Sequence, residues 1–174
     1  MVKYMNLREI FKYVDDFPIE GVRFIDIQPI FLNADVFSKI IEEIADNLPE
    51  KPIKIVVNEA RGFLLGTPLL LKKNAQIILA RKEGKLSGEL ISKEYDLEYG
   101  TDKIEIQKGL ISEGDEVAII DDILATGGTT KATIELVESL GAKVVKIIYL
   151  DKVDGLNGLE MLNGYDVTII HKDD

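Results

Sequence analysis

This sequence predicts an α/β fold: a central, mainly parallel sheet flanked by helices. Three observations carry that reading. Four short aliphatic runs, over 53–57, 76–80, 116–120 and 144–150, read as strands buried on both faces. Helix-patterned segments lie between strands, as βαβ units require. The chain has 174 residues, the length of a single domain, 1–174, whose core needs no disulfide or metal staple.

Each element has its own signal. Asn6 can cap a helix over 7–14, and Phe17, Pro18 and Gly21 mark a turn. Residues 22–27 read as a short strand. Asn33 caps a helix whose apolar stripe is Val36, Phe37, Ile40, Ile41 and Ile44, closed at Leu48-Pro49. The turn from Asn58 to Gly62 leads into an apolar helix over 63–71. A charged loop over 81–88 precedes two alternating segments, 91–97 and 103–106, which read as a solvated antiparallel hairpin. A helix over 129–140 stops at Gly141, and a last strand covers 167–170.

Composition narrows the function classes. Lys plus Arg number 21 against 31 Asp plus Glu, a net charge of −10, which argues against nucleic-acid or anionic-membrane partners. There is no cysteine, so thiolate catalysis and Cys-based zinc sites are excluded. One histidine, His171, reads as a tail residue and leaves no room for His-based triads. The N-terminus lacks a signal-peptide core and no run is long enough to span a membrane, so a soluble cytoplasmic protein is expected.

The chemistry gathers at one strand end. The run over 116–120 closes on Asp121 and Asp122, then passes through Ala125, Thr126, Gly127, Gly128, Thr129 and Thr130 into a helix. A helix N-terminus offers N–H donors and a positive dipole end to a phosphate, and glycines let the backbone come close. The threonines can add hydroxyls. The carboxylates can accept hydrogen bonds from sugar hydroxyls or reach Mg²⁺ through water. Neither a P-loop nor a G-x-G-x-x-G fingerprint is present. Lys72, Lys73, Arg81, Lys82 and Lys85 form a locally basic stretch in this acidic chain, of which the first two fit a helix C-terminus.

The segment over 117–130 resembles the phosphoribosyl-pyrophosphate motif of type I phosphoribosyltransferases. Three more segments, 17–18 with 21–27, 59–66, and 81–86 with 95–100, resemble the adenine branch of that family, and the likeness covers roughly residues 6 to 150. The resemblance implies a type I phosphoribosyltransferase fold with a small hood, largely from residues 1–30, and a flexible hairpin lid at about 84–106. It implies transfer of phosphoribose from 5-phosphoribosyl 1-pyrophosphate to adenine, giving AMP and pyrophosphate in purine salvage, by a homodimer using Mg²⁺ bound through the substrate rather than directly by the protein.

Residue roles follow from the same resemblance. Asp121 and Asp122 would hold the ribose hydroxyls, and Ala125, Thr126, Gly127, Gly128 and Thr129 the 5′-phosphate. Arg61, Arg81, Lys82 and Lys85 would bind pyrophosphate, with the Glu59–Ala60 peptide cis. Phe24 would stack on the base while the backbone of Val22, Arg23 and Ile25 reads its edge. Glu98 would exchange the purine proton. Two positions depart from the pattern: Ile25 stands where many relatives have Arg, and Ser87 where many have Pro. Another base, such as hypoxanthine, guanine or xanthine, is the nearest alternative, and a non-catalytic regulatory module the more distant one.

Overall fold

The computed structural model describes residues 6–51, 53–96 and 101–171. Asn6 caps a 3-10 turn, Leu7–Glu9, by accepting the Arg8 N–H at 3.2 Å. The expected helix over 7–14 ends there. β1 (Lys12–Val14) follows and pairs antiparallel with β2 (Phe24–Asp26), because Tyr13 and Val14 favour extended backbone once a partner strand is supplied. The Phe17–Pro18 peptide between them is cis. Asn33 caps α1 (Ala34–Asp46), whose Ile40, Ile41 and Ile44 are buried as the stripe predicts.

β3 (Ile53–Asn58) leads through a tight turn into α2 (Gly62–Gly66). The expected helix over 63–71 is really two pieces, since Pro68 has no N–H for an α-helical bond and a 3-10 turn, Thr67–Leu71, takes over. Gly66 lets α2 lie on β3: a β-carbon there would sit 2.2 Å from Val57 Cγ1. β4 (Ala75–Lys82) runs further than expected, so Arg81 and Lys82 belong to a strand rather than a loop. β5 (Leu90–Asp96) and β6 (Thr101–Gln107) form the hairpin, followed by β7 (Glu116–Ile120) and the two-residue β8 (Ile123–Leu124). α3 (Gly128–Ser139), β9 (Lys143–Tyr149), β10 (Asp151–Lys152), α4 (Gly158–Met161) and β11 (Val167–Ile169) complete the order.

The main sheet has the strand order β11-β9-β7-β3-β4-β6-β5. Its first five strands are parallel, and β6 and β5 extend it antiparallel. The hairpin is therefore not solvated on all sides: β6 lies between β4 and β5 with Ile104 and Ile106 in the core. Side chains alternate across the sheet. Ile55, Val57, Ala118 and Ile120 join one core with α1, α2 and the N-terminal segment. Val56, Val117, Ile119 and Ile147 join a second core with α3 and β6. Burial on both faces explains why these strands read as unbroken apolar runs. No helix among the described residues is long and apolar enough to cross a membrane.

From β3 the chain moves to β4 on one side, then returns to β7 on the other. That reversal leaves a crevice beyond the C-terminal ends of β3 and β7, where ligands bind in such sheets.

Candidate active site

Asp121 and Asp122 sit at that crevice, one step past β7. Asp122 is buried and Asp121 partly so. Asn58, the last residue of β3, donates its amide to Asp121 Oδ2 at 3.2 Å and accepts the Thr133 hydroxyl at 2.9 Å. One fully buried amide thus fixes β3, the acid pair and α3 to one another. Asp122 Oδ2 lies 2.5 Å from Arg61 Nε. Its carbonyl accepts the Leu150 N–H at 2.8 Å, which ties the acid loop to the strand end beyond β9.

Both carboxyls are held above their ordinary range. Burial is the larger cause for each; for Asp121 the neighbouring Asp122 charge adds to it, while the Arg61 guanidinium draws Asp122 back down. The same surroundings raise the Tyr149 hydroxyl, buried beside the pair. Two buried, adjacent carboxyls of this kind resist carrying two negative charges, and a cationic centre beside them relieves that cost.

The turn over 125–129 lies between β8 and α3. Gly127 has φ +84° and would place a β-carbon 3.0 Å from the Gly158 carbonyl, so a side chain there is strained twice over. It caps α3 without a side chain, and the first helical bond runs from Lys131 N–H to its carbonyl at 2.9 Å. The N–H groups of Gly128, Thr129 and Thr130 precede that bond and have no intrahelical acceptor. They border a cleft lined by Asp121, Ala125, Thr126, Gly127 and Thr129. Thr130 differs from the expectation: its hydroxyl is buried against Tyr149 and Asn58, so it serves the frame rather than the cleft.

The cations fall into two groups. Arg61 is drawn towards the N-terminal hairpin, where it donates to the Ile25 carbonyl at 3.0 Å and lies 5.1 Å from the Phe24 ring centre. Arg81 pairs with Glu59 at 2.7 Å and donates to the Lys85 carbonyl at 3.1 Å, and Lys82 pairs with Asp102 at 2.7 Å. Lys85 is exposed nearby. Lys72 and Lys73 pair instead with Glu42 and Glu50, away from the cleft.

Phe24 stands on β2 with Phe17 edge-on at 5.2 Å and Arg61 on its face. Ile25 points the other way, into the core, and presents only its backbone to Arg61. Arg23 is exposed, stacked on Tyr13 at 4.6 Å, and Val22 is exposed beside it. The Glu59–Ala60 peptide is cis. Glu98 lies outside the described residues, so its placement carries no part of this geometry.

The phosphoribosyl transferase domain pattern matches residues 27–172. The chain is 49% identical over 168 residues to an adenine phosphoribosyltransferase of Mycoplasmopsis pulmonis, covering 97% of this chain and 98% of that one. The chain belongs to the adenine phosphoribosyltransferase family. Solved relatives agree in fold. The enzyme of Thermoanaerobacter pseudethanolicus is 44% identical with a TM-score of 0.90, covering 94% of this chain and 96% of its own. That of Saccharomyces cerevisiae, complexed with an imino-altritol bisphosphate and adenine, is 40% identical with a TM-score of 0.89 over the same shares.

Within this phosphoribosyltransferase, three residues carry geometry that motif reading passed over. Asn58 shows only as a polar residue ending an apolar run, and Tyr149 as one aromatic in a buried strand. Asp102 gives no sequence signal, because its partner Lys82 is twenty residues away and is brought to it by β6 pairing with β4. His171 is buried rather than a loose tail, its N–H bonded to the Leu150 carbonyl at 2.8 Å.

Proposed function

We propose that the crevice between β3 and β7 binds 5-phosphoribosyl 1-pyrophosphate and adenine, with the residues named above in these roles. The chain is a pentosyltransferase of purine salvage: adenine and 5-phosphoribosyl 1-pyrophosphate give AMP and pyrophosphate. The observation that supports the site assignment most is the juxtaposition of the Asp121–Asp122 pair with a helix N-terminus that no side chain caps, at the topological switch of the sheet.

The N–H groups at the start of α3, with Thr126 and Thr129, hold the 5′-phosphate. Asp121 and Asp122 accept hydrogen bonds from the ribose hydroxyls. As the bond from C1 to pyrophosphate oxygen breaks, positive charge grows on the sugar ring, and two carboxylates already in place stabilise it. Arg81, Lys82 and Lys85, with Arg61 at the inner edge, take the charge of departing pyrophosphate. A purine ring nitrogen forms the new bond to C1 and its proton passes to Glu98. Phe24 supplies a stacking face, and the backbone of Val22, Arg23 and Ile25 selects the base. Positioning and charge carry the rate, with no covalent intermediate.

Mg²⁺ fits as a companion of the substrate. Among the described residues no group of three or more acidic or histidine side chains converges on one point, and two carboxylates suit a cation that keeps its waters and is held by phosphates. When bound, Mg²⁺ would neutralise the pyrophosphate, with Asp121 and Asp122 reaching its water shell.

The hood of this reading is the β1–β2 hairpin, and the stem of the lid is β5 and β6. A homodimer and a cytoplasmic setting complete it. Leu32, Leu64, Leu70, Leu71 and Leu79 are exposed on α2 and elements near it in the fold, apolar surface that a second copy would cover. The roles are tested with Asp121→Asn together with Asp122→Asn. The variant should keep its fold and lose turnover by about a hundredfold or more; turnover near that of the unmodified enzyme would remove the pair from the mechanism.

A further inference from the structure

The chain turns sharply at the end of β4. The Lys85 N–H donates to the Lys82 carbonyl at 3.3 Å, and Gly84 takes φ +75° at the third position, where a type II turn favours glycine. Such a turn closes on its fourth N–H and leaves the third without an acceptor of its own. Here β6 supplies one: Glu105 Oε2 accepts the Gly84 N–H at 3.0 Å. Glu105 stands opposite Arg81 of β4 in the sheet register, so the two side chains share a face, while its neighbours Ile104 and Ile106 pack into the core on the other face. Glu105 is only 7% exposed. Burying a carboxylate is costly unless its oxygens are bonded, and the reaction gives this one no part. Two residues along the same face, Gln107 donates to the Ser87 carbonyl at 3.0 Å, so one face of β6 holds the segment beyond β4.

We infer that Glu105 is a positioning residue for the pyrophosphate end of the site: by accepting the Gly84 N–H it fixes the turn that carries Lys82 and Lys85 and braces Arg81. The inference rests on the assignment of Arg81, Lys82 and Lys85 to pyrophosphate. The bonds around the turn support it. The Glu83 N–H, donated to the Lys103 carbonyl at 3.2 Å, fixes only the start of the turn, and the Lys85–Lys82 bond is internal to it. The Gly84–Glu105 bond joins its far side to the sheet. Arg81 depends on the same turn, because its guanidinium donates to the Lys85 carbonyl at 3.1 Å as well as pairing with Glu59. A shift of the turn therefore displaces Lys85 directly and removes one of the two anchors that aim Arg81. What the turn needs from Glu105 is an oxygen acceptor of the right reach rather than a negative charge, which by itself disfavours an anionic ligand nearby.

Calorimetric titrations with magnesium pyrophosphate and, separately, with AMP read the two ends of the site. Glu105→Leu should weaken pyrophosphate about tenfold, the effect of losing one bond to a charged acceptor, and raise the KM for 5-phosphoribosyl 1-pyrophosphate in step. AMP affinity and the KM for adenine should not change. Glu105→Gln keeps an oxygen of the same reach and should stay within about twofold of the unmodified enzyme for both ligands. A merely structural role would lower the melting temperature and leave the ratio of the two affinities alone. Unchanged pyrophosphate affinity in Glu105→Leu, an equal loss of both ligands, or a Glu105→Gln enzyme as weak as Glu105→Leu overturns the inference. Should Glu105→Leu fail to fold, Glu105→Asp decides in its place, because its carboxylate is one methylene short of Gly84: selective loss of pyrophosphate supports the inference and unchanged affinity overturns it. Lys85→Met separates the inference from the assignment beneath it. If that variant binds pyrophosphate unchanged, the assignment of this turn fails and the inference with it; if it binds more weakly while Glu105→Leu does not, the inference alone fails.

Discussion

At the scale of single residues, the acid pair sets function against stability. Asp121 has its carboxyl raised by burial and by the charge of Asp122. Below the ordinary carboxylate range the folded and unfolded chains are both protonated there, and nothing is lost. As pH rises, the unfolded chain ionises first, so stability falls until the folded carboxyl ionises too, and the loss then persists. Asp121→Asn should therefore raise the melting temperature of the empty enzyme at pH 8, with a gain that shrinks towards nothing near pH 4, while activity drops. A gain that grows on acidification would mean the carboxyl is stabilised as an anion. The pair itself was legible, because two adjacent acids ending an apolar strand are conspicuous. Its supports were not. Asn58 and Tyr149 act through contacts with α3, 72 and 19 residues away in sequence.

At the scale of elements, Arg8 helps fasten the N-terminal segment to the strands beside the acid pair. Arg8 donates to Asp151 at 2.8 and 3.1 Å and to Asp154 at 3.1 Å. Asp151 is fully buried on β10, which pairs with β8 directly after the acid pair. Removing the guanidinium leaves a buried carboxylate facing it, so Arg8→Ala should lower stability by about 3 kcal/mol in denaturant titration. The expected KM for adenine rises with it, because β2 carries Phe24. A change under about 0.5 kcal/mol would show that Arg8 is a surface ornament only. Element boundaries were the part of the fold least visible in sequence. The helix expected over 7–14 gave way to β1 because strand pairing with β2, a tertiary effect, outweighs a local cap. The helix expected over 63–71 breaks at Pro68, which has no N–H for an α-helical bond, although the apolar run around it reads as continuous. Arg81 and Lys82 read as loop residues in the sequence because their charge hides the strand that β6 completes.

At the scale of the whole molecule, the parallel sheet was legible because double-sided burial writes itself as uninterrupted aliphatic runs. What the runs cannot say is their order in space, and the site depends on that order: β3 and β7 are neighbours although β4, β5 and β6 come between them in sequence. Exposed leucines around α2 argue for association. The enzyme should sediment at twice its chain mass of 19.4 kDa, and Leu64→Glu with Leu71→Glu should shift it to a monomer. A monomer before substitution would assign that face elsewhere.

The most direct test of the account is product formation from 5-phosphoribosyl 1-pyrophosphate and Mg²⁺ with adenine, hypoxanthine, guanine and xanthine in parallel. Adenine should give AMP and an equal amount of pyrophosphate, with little product from the other three. Turnover of a 6-oxopurine in preference to adenine would contradict the base assignment at β2, and binding without turnover of any base would contradict catalysis at this crevice.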